Sequence, residues 1–554
     1  MLSRATKVLY AGTNTLYVMS RGDMPRTRRD LIRQGIVAGG VLSIAGCTSD
    51  DPAGDDSAGD DAAGDGAADQ ETGNKLVFSS GSSVEQLHPQ YRMTNADSQM
   101  LIHVTEPLFI FGDNIQAKKR LAEKYSLSDD GSRVTVKIRE GVKFHPPVDR
   151  ELVADDVVAS LNNVRNDEAA VGNLDMRFVE QINRVDDYTV EVNMSRAFPA
   201  IINDLFCRQY TAILPAERVG DGNDKTKELP IGTGPFKFEE WERGSFVQLS
   251  KFEDYWQDDL EYVDEVEFNP ISEDSTRVNT LATGDTDVVP DVPGNKIRQV
   301  QESDDTSIAE LEGKTMEYVG FNCNREPFTD SRVRRAVRHA IDIERLIQTA
   351  VDGRGTPAST IIPDSNPMAF DKDPIQQDME MARSLLQETG LDDGFEFTMK
   401  VPEAFSASVR MATPMKQMLQ EVNINMEIQR LTWDTFADQC LTGNNPQYDM
   451  QAIAWLSTPA TAYGGLNKVL NSESVLNYWN YESSEMDELL NAAAVEPDSE
   501  QRKEAYAEVQ ELRRKDMPMF NAFYHTDIFG HKDHVNGKLI HGYGEVRLWN
   551  NTLE

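Results

Sequence analysis

The apolar residues of this chain switch repeatedly between a spacing of two and a spacing of three to four, and no other feature limits its fold so strongly. Lys75-Leu-Val-Phe-Ser79 reads as an opening strand, and Val134, Val136 and Ile138 alternate with Thr135 and Lys137 as a half-buried strand does. Behind Asp155, a residue type suited to an N-cap, Val157, Val158, Leu161 and Val164 share one helical face. Helical patterns return at 332–351, 378–389, 408–422, 484–494 and 498–514, separated by short apolar segments such as Glu317–Asn322 and Met450–Trp455. Strands and helices alternating in this way predict an α/β fold, not a helix bundle or a β-sandwich.

The N-terminal part stands outside that pattern. Arg28-Arg29-Asp-Leu-Ile32 precedes the apolar run Gly35–Ile44, and Ile44-Ala-Gly-Cys47 follows. The paired arginines resemble a twin-arginine export signal, and the small residues leading to Cys47 resemble the lipobox of secreted lipoproteins. An apolar run of about ten residues is too short to span a bilayer. Residues 1–46 are therefore expected to be an export signal, with Met24 an alternative start to Met1. Cys47 is expected to carry the lipid that holds the protein at the extracellular face of the cell membrane. Thr48 to Asn74 hold nine acidic residues and no aromatic or branched aliphatic side chain. Such a stretch cannot bury enough apolar surface to offset its ordering entropy, so 47–74 is expected to be a disordered acidic tether.

Over the whole chain 93 acidic residues stand against 55 basic ones, a formal net charge of −38. Removing residues 1–46 takes away seven basic and two acidic residues and leaves −43. Self-repulsion on that scale costs stability in dilute salt, whereas in molar salt the Debye length falls to about 3 Å and the cost is screened. The composition resembles the acidic style of salt-in haloarchaeal proteins. Acid spread along the whole chain indicates a solvated surface, and it argues against nucleic acid as a partner, which needs basic patches to displace phosphate counterions.

No Gly-rich phosphate loop, G-x-S-x-G elbow or H-E-x-x-H is present. His531-Lys-Asp-His534 has metal-like spacing but reads as a surface turn, and the doublets Asp129-Asp130 and Asp155-Asp156 point apart. The expectation is no catalysis, no metal and no cofactor. Beyond Cys47 only Cys207, Cys323 and Cys440 remain, enough for one bridge at most. No later segment reaches the roughly 20 apolar residues of a membrane helix.

Further motifs come in a set order. Leu87-His-Pro89, Thr105-Glu-Pro-Leu108 and Arg120-Leu-Ala-Glu-Lys-Tyr125 are followed by Val136–His145 and Ala154-Asp-Asp-Val157. Gly232-Thr-Gly-Pro-Phe236, Trp241, Gly244, Tyr255-Trp256, Arg277 and Leu281–Asp287 come next, then Gly320-Phe-Asn322, Pro327-Phe-Thr-Asp330, Arg332–Val337 and Ala340-Ile-Asp342. Together, across residues 75–541, these blocks resemble the family 5 extracellular solute-binding proteins of ABC importers, which include dipeptide, oligopeptide and nickel receptors. The resemblance implies a type II periplasmic-binding-protein fold with two main lobes, a hinge and an extra family-specific lobe. Lobe I would comprise 75–113, 232–318 and 524–554, lobe II 114–231 and lobe III 319–523. Gly232-Thr-Gly234 suits a backbone that must turn tightly. The implied role is that of a monomeric binding protein, not an enzyme. It would capture a solute by lobe closure and deliver it to an ABC permease with its ATPase complex.

The resemblance also places the ligand. Arg410, in Ser408-Val-Arg-Met-Ala412, stands where dipeptide receptors carry an arginine for the ligand carboxylate, a role suited to a permanently charged bidentate fork. Trp433 and Trp455 match aromatic positions of the cleft, and Met93, Thr94 and Asn95 correspond to the strand that runs beside a bound peptide. Thr458 replaces the aspartate that peptide-binding members place three residues after the second tryptophan to pair with the α-ammonium. A hydroxyl cannot neutralise a buried cation, so the classical recognition of a free peptide N-terminus lacks its acidic partner here, and whether such termini are accepted stays open. A second departure, Phe144–Ala154, is expected to alter a surface loop of lobe II. His103 and His339 could be offered as nickel contacts by analogy with nickel receptors, but a lone histidine in a helical run such as that of His339 reads as a packed or surface residue, and no metal is expected. An oligopeptide or peptide-like ligand is the first reading. An oligosaccharide or other organic solute, or ligand delivery to a signalling receptor, is the alternative.

Overall fold

The computed structural model describes residues 74–553 apart from 92, 174, 220–228, 365, 367, 370–371, 442–446 and 456–460, together with a hairpin of Val8–Gly12 and Thr15–Met19. Arg28, Arg29, Cys47, the tether through residue 73 and Thr458 lie outside the described residues.

Eleven strands form one mixed sheet. In spatial order they are Phe236–Glu242, Phe246–Lys251, Glu265–Pro270, Lys75–Ser80, Val288–Val289, Met519–Lys532, Thr306–Phe321, Met450–Trp455, Phe395–Pro402 and Ile424–Leu431, with Gly355–Pro357 added to Met519–Lys532 off that path. Towards each end the neighbours run parallel, Glu265–Pro270 beside Lys75–Ser80 and Phe395–Pro402 beside Ile424–Leu431. Parallel strands are covered on both faces and read as continuous apolar runs, which is why Met450–Trp455 is buried along almost its whole length. The long antiparallel pair Thr306–Phe321 and Met519–Lys532 joins the two halves. Its ladder jumps from Glu312 opposite Thr526 to Met316 opposite Tyr524 and slips again between Glu317 and Tyr318. Extra residues on one strand bend it and sharpen its twist, so the flexure of the sheet falls between its halves.

A separate four-stranded antiparallel sheet contains Ala122–Leu127, Arg133–Ile138, Thr189–Met194 and Val179–Asp186. Val134, Val136 and Ile138 are buried as their alternation predicts, in one core with Val157, Leu161 and Val164 of the helix Ala154–Asn166. That core continues into Ala462, Tyr463, Leu466 and Tyr506. The cap of the helix differs from expectation. Val153 is the N-cap residue, and its N–H donates to the Asp156 carboxylate at 2.9 Å, while Asp155 turns outward to Arg184. Position N3 reaches back to the cap, and the residue before it does not. The pattern expected at 332–351 is two helices, Ser331–Ala340 and Ile343–Val351. Asp342 breaks it, because its side chain accepts the Arg345 N–H and so caps a new helix.

The motif Gly232-Thr-Gly234 needs glycine for close approach and not for a left-handed turn. A Cβ on Gly232 would lie 2.1 Å from the Val104 carbonyl oxygen, and one on Gly234 2.4 Å from that of His103. Beside it Glu106, 2 % exposed, gathers four donors: Arg120 Nε at 2.5 Å, Thr233 Oγ1 at 2.7 Å, Tyr255 Oη at 3.0 Å and Trp256 Nε1 at 3.2 Å. His145 closes the same junction. Gly232 N–H donates to its Nδ1 at 3.4 Å, and its Nε2 meets the Gly234 carbonyl at 2.9 Å. Burial holds its pKa down at about 4, so the ring is neutral and the Nε2–H donates. The departure at Phe144–Ala154 is thus only partly a surface loop. Pro146, Pro147 and Asp149 are exposed as expected, but His145 at its base is an internal anchor.

Candidate functional site

Trp433 opens the helix Trp433–Cys440 directly after the strand Ile424–Leu431, which leaves its indole half-buried at the edge of the layer. Its ring centroid is 5.7 Å from Phe405 and 6.3 Å from Phe436, and its buried Nε1–H has no partner among the described residues. Trp455 ends the strand Met450–Trp455, stands opposite Met316 in register and meets Tyr318 edge-on at 6.4 Å. Desolvation pushes the Tyr318 phenol well above its usual pKa, so it is neutral. Gln451 shares the strand face of Trp455 by its spacing of two; it is fully buried, and neither its amide nitrogen nor its oxygen has a partner among the described residues. Phe405, Tyr318 and Gln451 escaped the sequence reading. Alternation within Met450–Trp455 could have singled out Gln451 as the polar residue on an otherwise apolar segment.

Arg410 is not brought to these aromatics. Its helix, Ser406–Gln420, packs Ala407, Met411, Met415 and Met418 into a core distinct from the one that Trp433 and Trp455 border. The Arg410 guanidinium is part-exposed and paired with Asp352, Nη2 to Oδ1 at 2.7 Å and Nη1 to Oδ2 at 3.3 Å. Hydrogen bonding from Arg410 in turn holds the Asp352 carboxyl below its usual range. Periodicity identifies a helix but not the layer it joins, and this helix joins the other one. Met93, Thr94 and Asn95 are not a strand either. Thr94 caps the helix Asn95–Leu101, its N–H donating to Asp97 at 2.7 Å and its carbonyl accepting from Ser98 at 3.0 Å, so neither group is left for a ladder with a peptide.

His103 is fully buried among Phe236, Phe268 and Trp549, and burial lowers its pKa to about 3. Its Nε2 accepts the Leu548 N–H. His339 is half-buried on its helix, and desolvation lowers its pKa as well. Among the described residues no three His, Cys, Asp or Glu side chains are arranged to hold a metal, and Cys207, Cys323 and Cys440 are free thiols.

The four-stranded sheet's region meets the segment 461–468 through polar contacts. Asp175 pairs with Lys468 at 3.1 Å, Thr461 donates to Asp204, and Arg177 and Arg196 both donate to the Tyr463 phenol oxygen.

A family model for bacterial extracellular solute-binding proteins, family 5 (middle) matches residues 116–476, more than half of the chain. The glutathione-binding protein GsiB of Salmonella paratyphi A is 24 % identical over 469 residues, which is 83 % of this chain and 91 % of that one. HbpA2 of Haemophilus parasuis shares the fold with a TM-score of 0.79 at 23 % identity, covering 87 % of this chain and 100 % of its own. The periplasmic binding protein DppA of Helicobacter pylori, solved with the peptide STSA, aligns with a TM-score of 0.69 at 22 % identity over 87 % of this chain and 98 % of its own. GsiB and DppA are named as binding proteins. By the span of the family match and the shared α/β fold, the chain belongs to the family 5 bacterial extracellular solute-binding proteins.

Proposed function

We propose that this protein captures an oligopeptide or peptide-like solute beside Trp433 and Trp455 and delivers it to an ABC permease with its ATPase complex, tethered outside the cell by a lipid on Cys47. The observation that carries the reading is the bulged pair of long strands between two half-sheets, joined to the family match over residues 116–476. A ligand favours the closed arrangement of such lobes only by the free energy it gains there over the open one, so it must touch both sides. One relative is named for glutathione and another was solved with a peptide, which supports a peptide-like cargo. Thr458 in place of an acid and the occupied main-chain groups of Thr94 point to a ligand held without an ammonium contact at Thr458 or strand pairing at Thr94. The indole N–H of Trp433, without a partner among the described residues and on a ring flanked by Phe405 and Phe436, favours a second reading, a neutral sugar or other organic solute stacked on aromatics.

Native mass spectrometry of the protein made in a halophilic host, purified in molar salt and moved to a volatile buffer just before injection, tests this. A retained spread of peptide masses is the expected result. A single discrete non-peptide mass overturns the cargo and leaves the binding role in place.

A further inference from the structure

We propose that Arg177 and Arg196 form an anion site that takes a carboxylate of the ligand at the junction between the 114–231 segment and Tyr463. The inference rests on the peptide-like reading for the ligand's identity, but its geometry is independent of it. Arg177 lies in the single turn Asp175–Phe178, and Arg196 follows the strand Thr189–Met194 by two residues. Both guanidinium groups stack on the ring of Phe178, at 4.6 Å and 3.9 Å from its centroid. Both also donate to the same oxygen, the Tyr463 phenol, Arg196 Nη2 at 3.1 Å and Arg177 Nη2 at 3.4 Å. Tyr463 comes from the other side of the junction, where its ring meets Phe198 edge-on at 5.0 Å.

Two like charges on one ring and one phenol oxygen repel each other, and among the described residues neither is in an ion pair. That is unusual in a chain with 93 acidic residues against 55 basic ones. Two carboxylates of the same junction are already engaged: Asp175 by Lys468 and by Tyr210 Oη at 2.9 Å, and Asp204 by Thr461. One guanidinium would be enough to cover Phe178 and bond Tyr463. A second adds repulsion unless an anion completes the set. Among the described residues each guanidinium retains unused N–H donors in a planar fork that matches a carboxylate, and the buried Arg196 Nε–H has no partner there. Arg177 is solvent-exposed, so the pair can be reached. In molar salt long-range attraction is screened, and a site of this kind selects by bidentate geometry, which chloride cannot reproduce. The site also differs from Arg410, whose guanidinium is neutralised by Asp352.

The test is isothermal titration calorimetry of the full chain in molar potassium chloride, using a tetrapeptide library as free acids, the same library as C-terminal amides, and succinate. The wild type is expected to bind the acids at least about tenfold more tightly than the amides, the discrimination one charge-assisted contact supplies. Arg177→Gln/Arg196→Gln is expected to bind both libraries equally, at the wild-type affinity for amides. A double variant that keeps the acid preference overturns the proposal, and Arg410→Gln then shows whether that arginine reads the carboxylate. If neither library binds, the peptide reading fails by itself and succinate decides the site: uptake by the wild type that the double variant lacks supports it, and equal or absent uptake overturns it. Should circular dichroism show the double variant misfolded, the exposed single change Arg177→Gln carries the same comparison.

Discussion

Glu106→Gln isolates the energetics of the junction that sets the two sheets against each other. The Glu106 carboxylate is surrounded only by donors, with Arg120 and Tyr255 on Oε1 and Thr233 and Trp256 on Oε2. Replacing either oxygen by an amide NH2 puts donor against donor at two contacts and leaves Arg120, 7 % exposed, without a countercharge. Breaking a buried pair from one side costs about 3–5 kcal/mol, most of it the penalty of the stranded charge. Adding Arg120→Met removes that charge, so the double variant is expected to be more stable than the sum of the single changes by about 0.5–3 kcal/mol. Urea unfolding in molar potassium chloride, followed by tryptophan fluorescence, measures both quantities. Molar salt does not erase the effect, because the pair is shielded from ions. The exposed pair Arg298–Glu302, at 84 % and 62 % side-chain exposure, serves as the control, and its removal is expected to change stability by under about 1 kcal/mol. A Glu106→Gln variant within about 1 kcal/mol of wild type, or a strictly additive double variant, refutes the reasoning.

Other outcomes follow from the same geometry. Gly234→Ala is expected to cost about 1–3 kcal/mol in urea unfolding, since its Cβ would meet the His103 carbonyl at 2.4 Å and backbone cannot swing aside. His103 and His145 are held neutral by burial, at about 3 and about 4 against an ordinary 6.5. Their stabilisation is therefore complete above pH 6.5 and lost as pH falls towards those values, with a slope near about 1.4 kcal/mol per pH unit for each. His103→Asn is expected to flatten that slope by roughly half between pH about 6 and about 4, read from urea midpoints across the pH series. Burial pushes the Cys323 thiol up to about 11 and Cys440 up to about 12, and holds Cys207 well above its ordinary range, so maleimide at mildly alkaline pH is expected to label none of them until the protein is unfolded.

The strands and helices were legible because burial imposes a period. Alternation in Val134, Val136 and Ile138 and the apolar run Met450–Trp455 correspond to the burial they show. Details set by one hydrogen bond were not legible. The apolar period runs straight through Ile341-Asp342, and only the Asp342 side chain on the Arg345 N–H ends one helix and starts another. Third-dimensional placement was also hidden. Arg410 has the right residue type and the right helix, yet the Met-rich face of that helix docks it on the layer away from Trp433 and Trp455. Arg177 and Arg196 lie on different elements and become a pair only through the Phe178 ring that both cover and the Tyr463 phenol to which both donate.

The motifs that reveal the family are largely those that hold its frame. Glu106, Arg120, Gly232, Thr233, Gly234, Tyr255 and Trp256 all belong to one buried junction. Asp330 caps the helix Ser331–Ala340, and Arg334 within it is buried against the carbonyl oxygens of Phe328, Asp516 and Met517. Such residues tolerate little change, because each is a donor or acceptor whose loss strands several others out of reach of water. The candidate ligand groups occupy the opposite kind of position. Trp433 is the first residue of its helix, Trp455 the last of its strand, Arg177 sits in a single turn and Arg196 just beyond a strand. A side chain at the end of an element can be exchanged without breaking a ladder or a buried network. A chain 24 % identical to its relatives can therefore keep the whole frame while its binding surface is rebuilt. That division explains why the same sequence states its fold plainly and its cargo hardly at all.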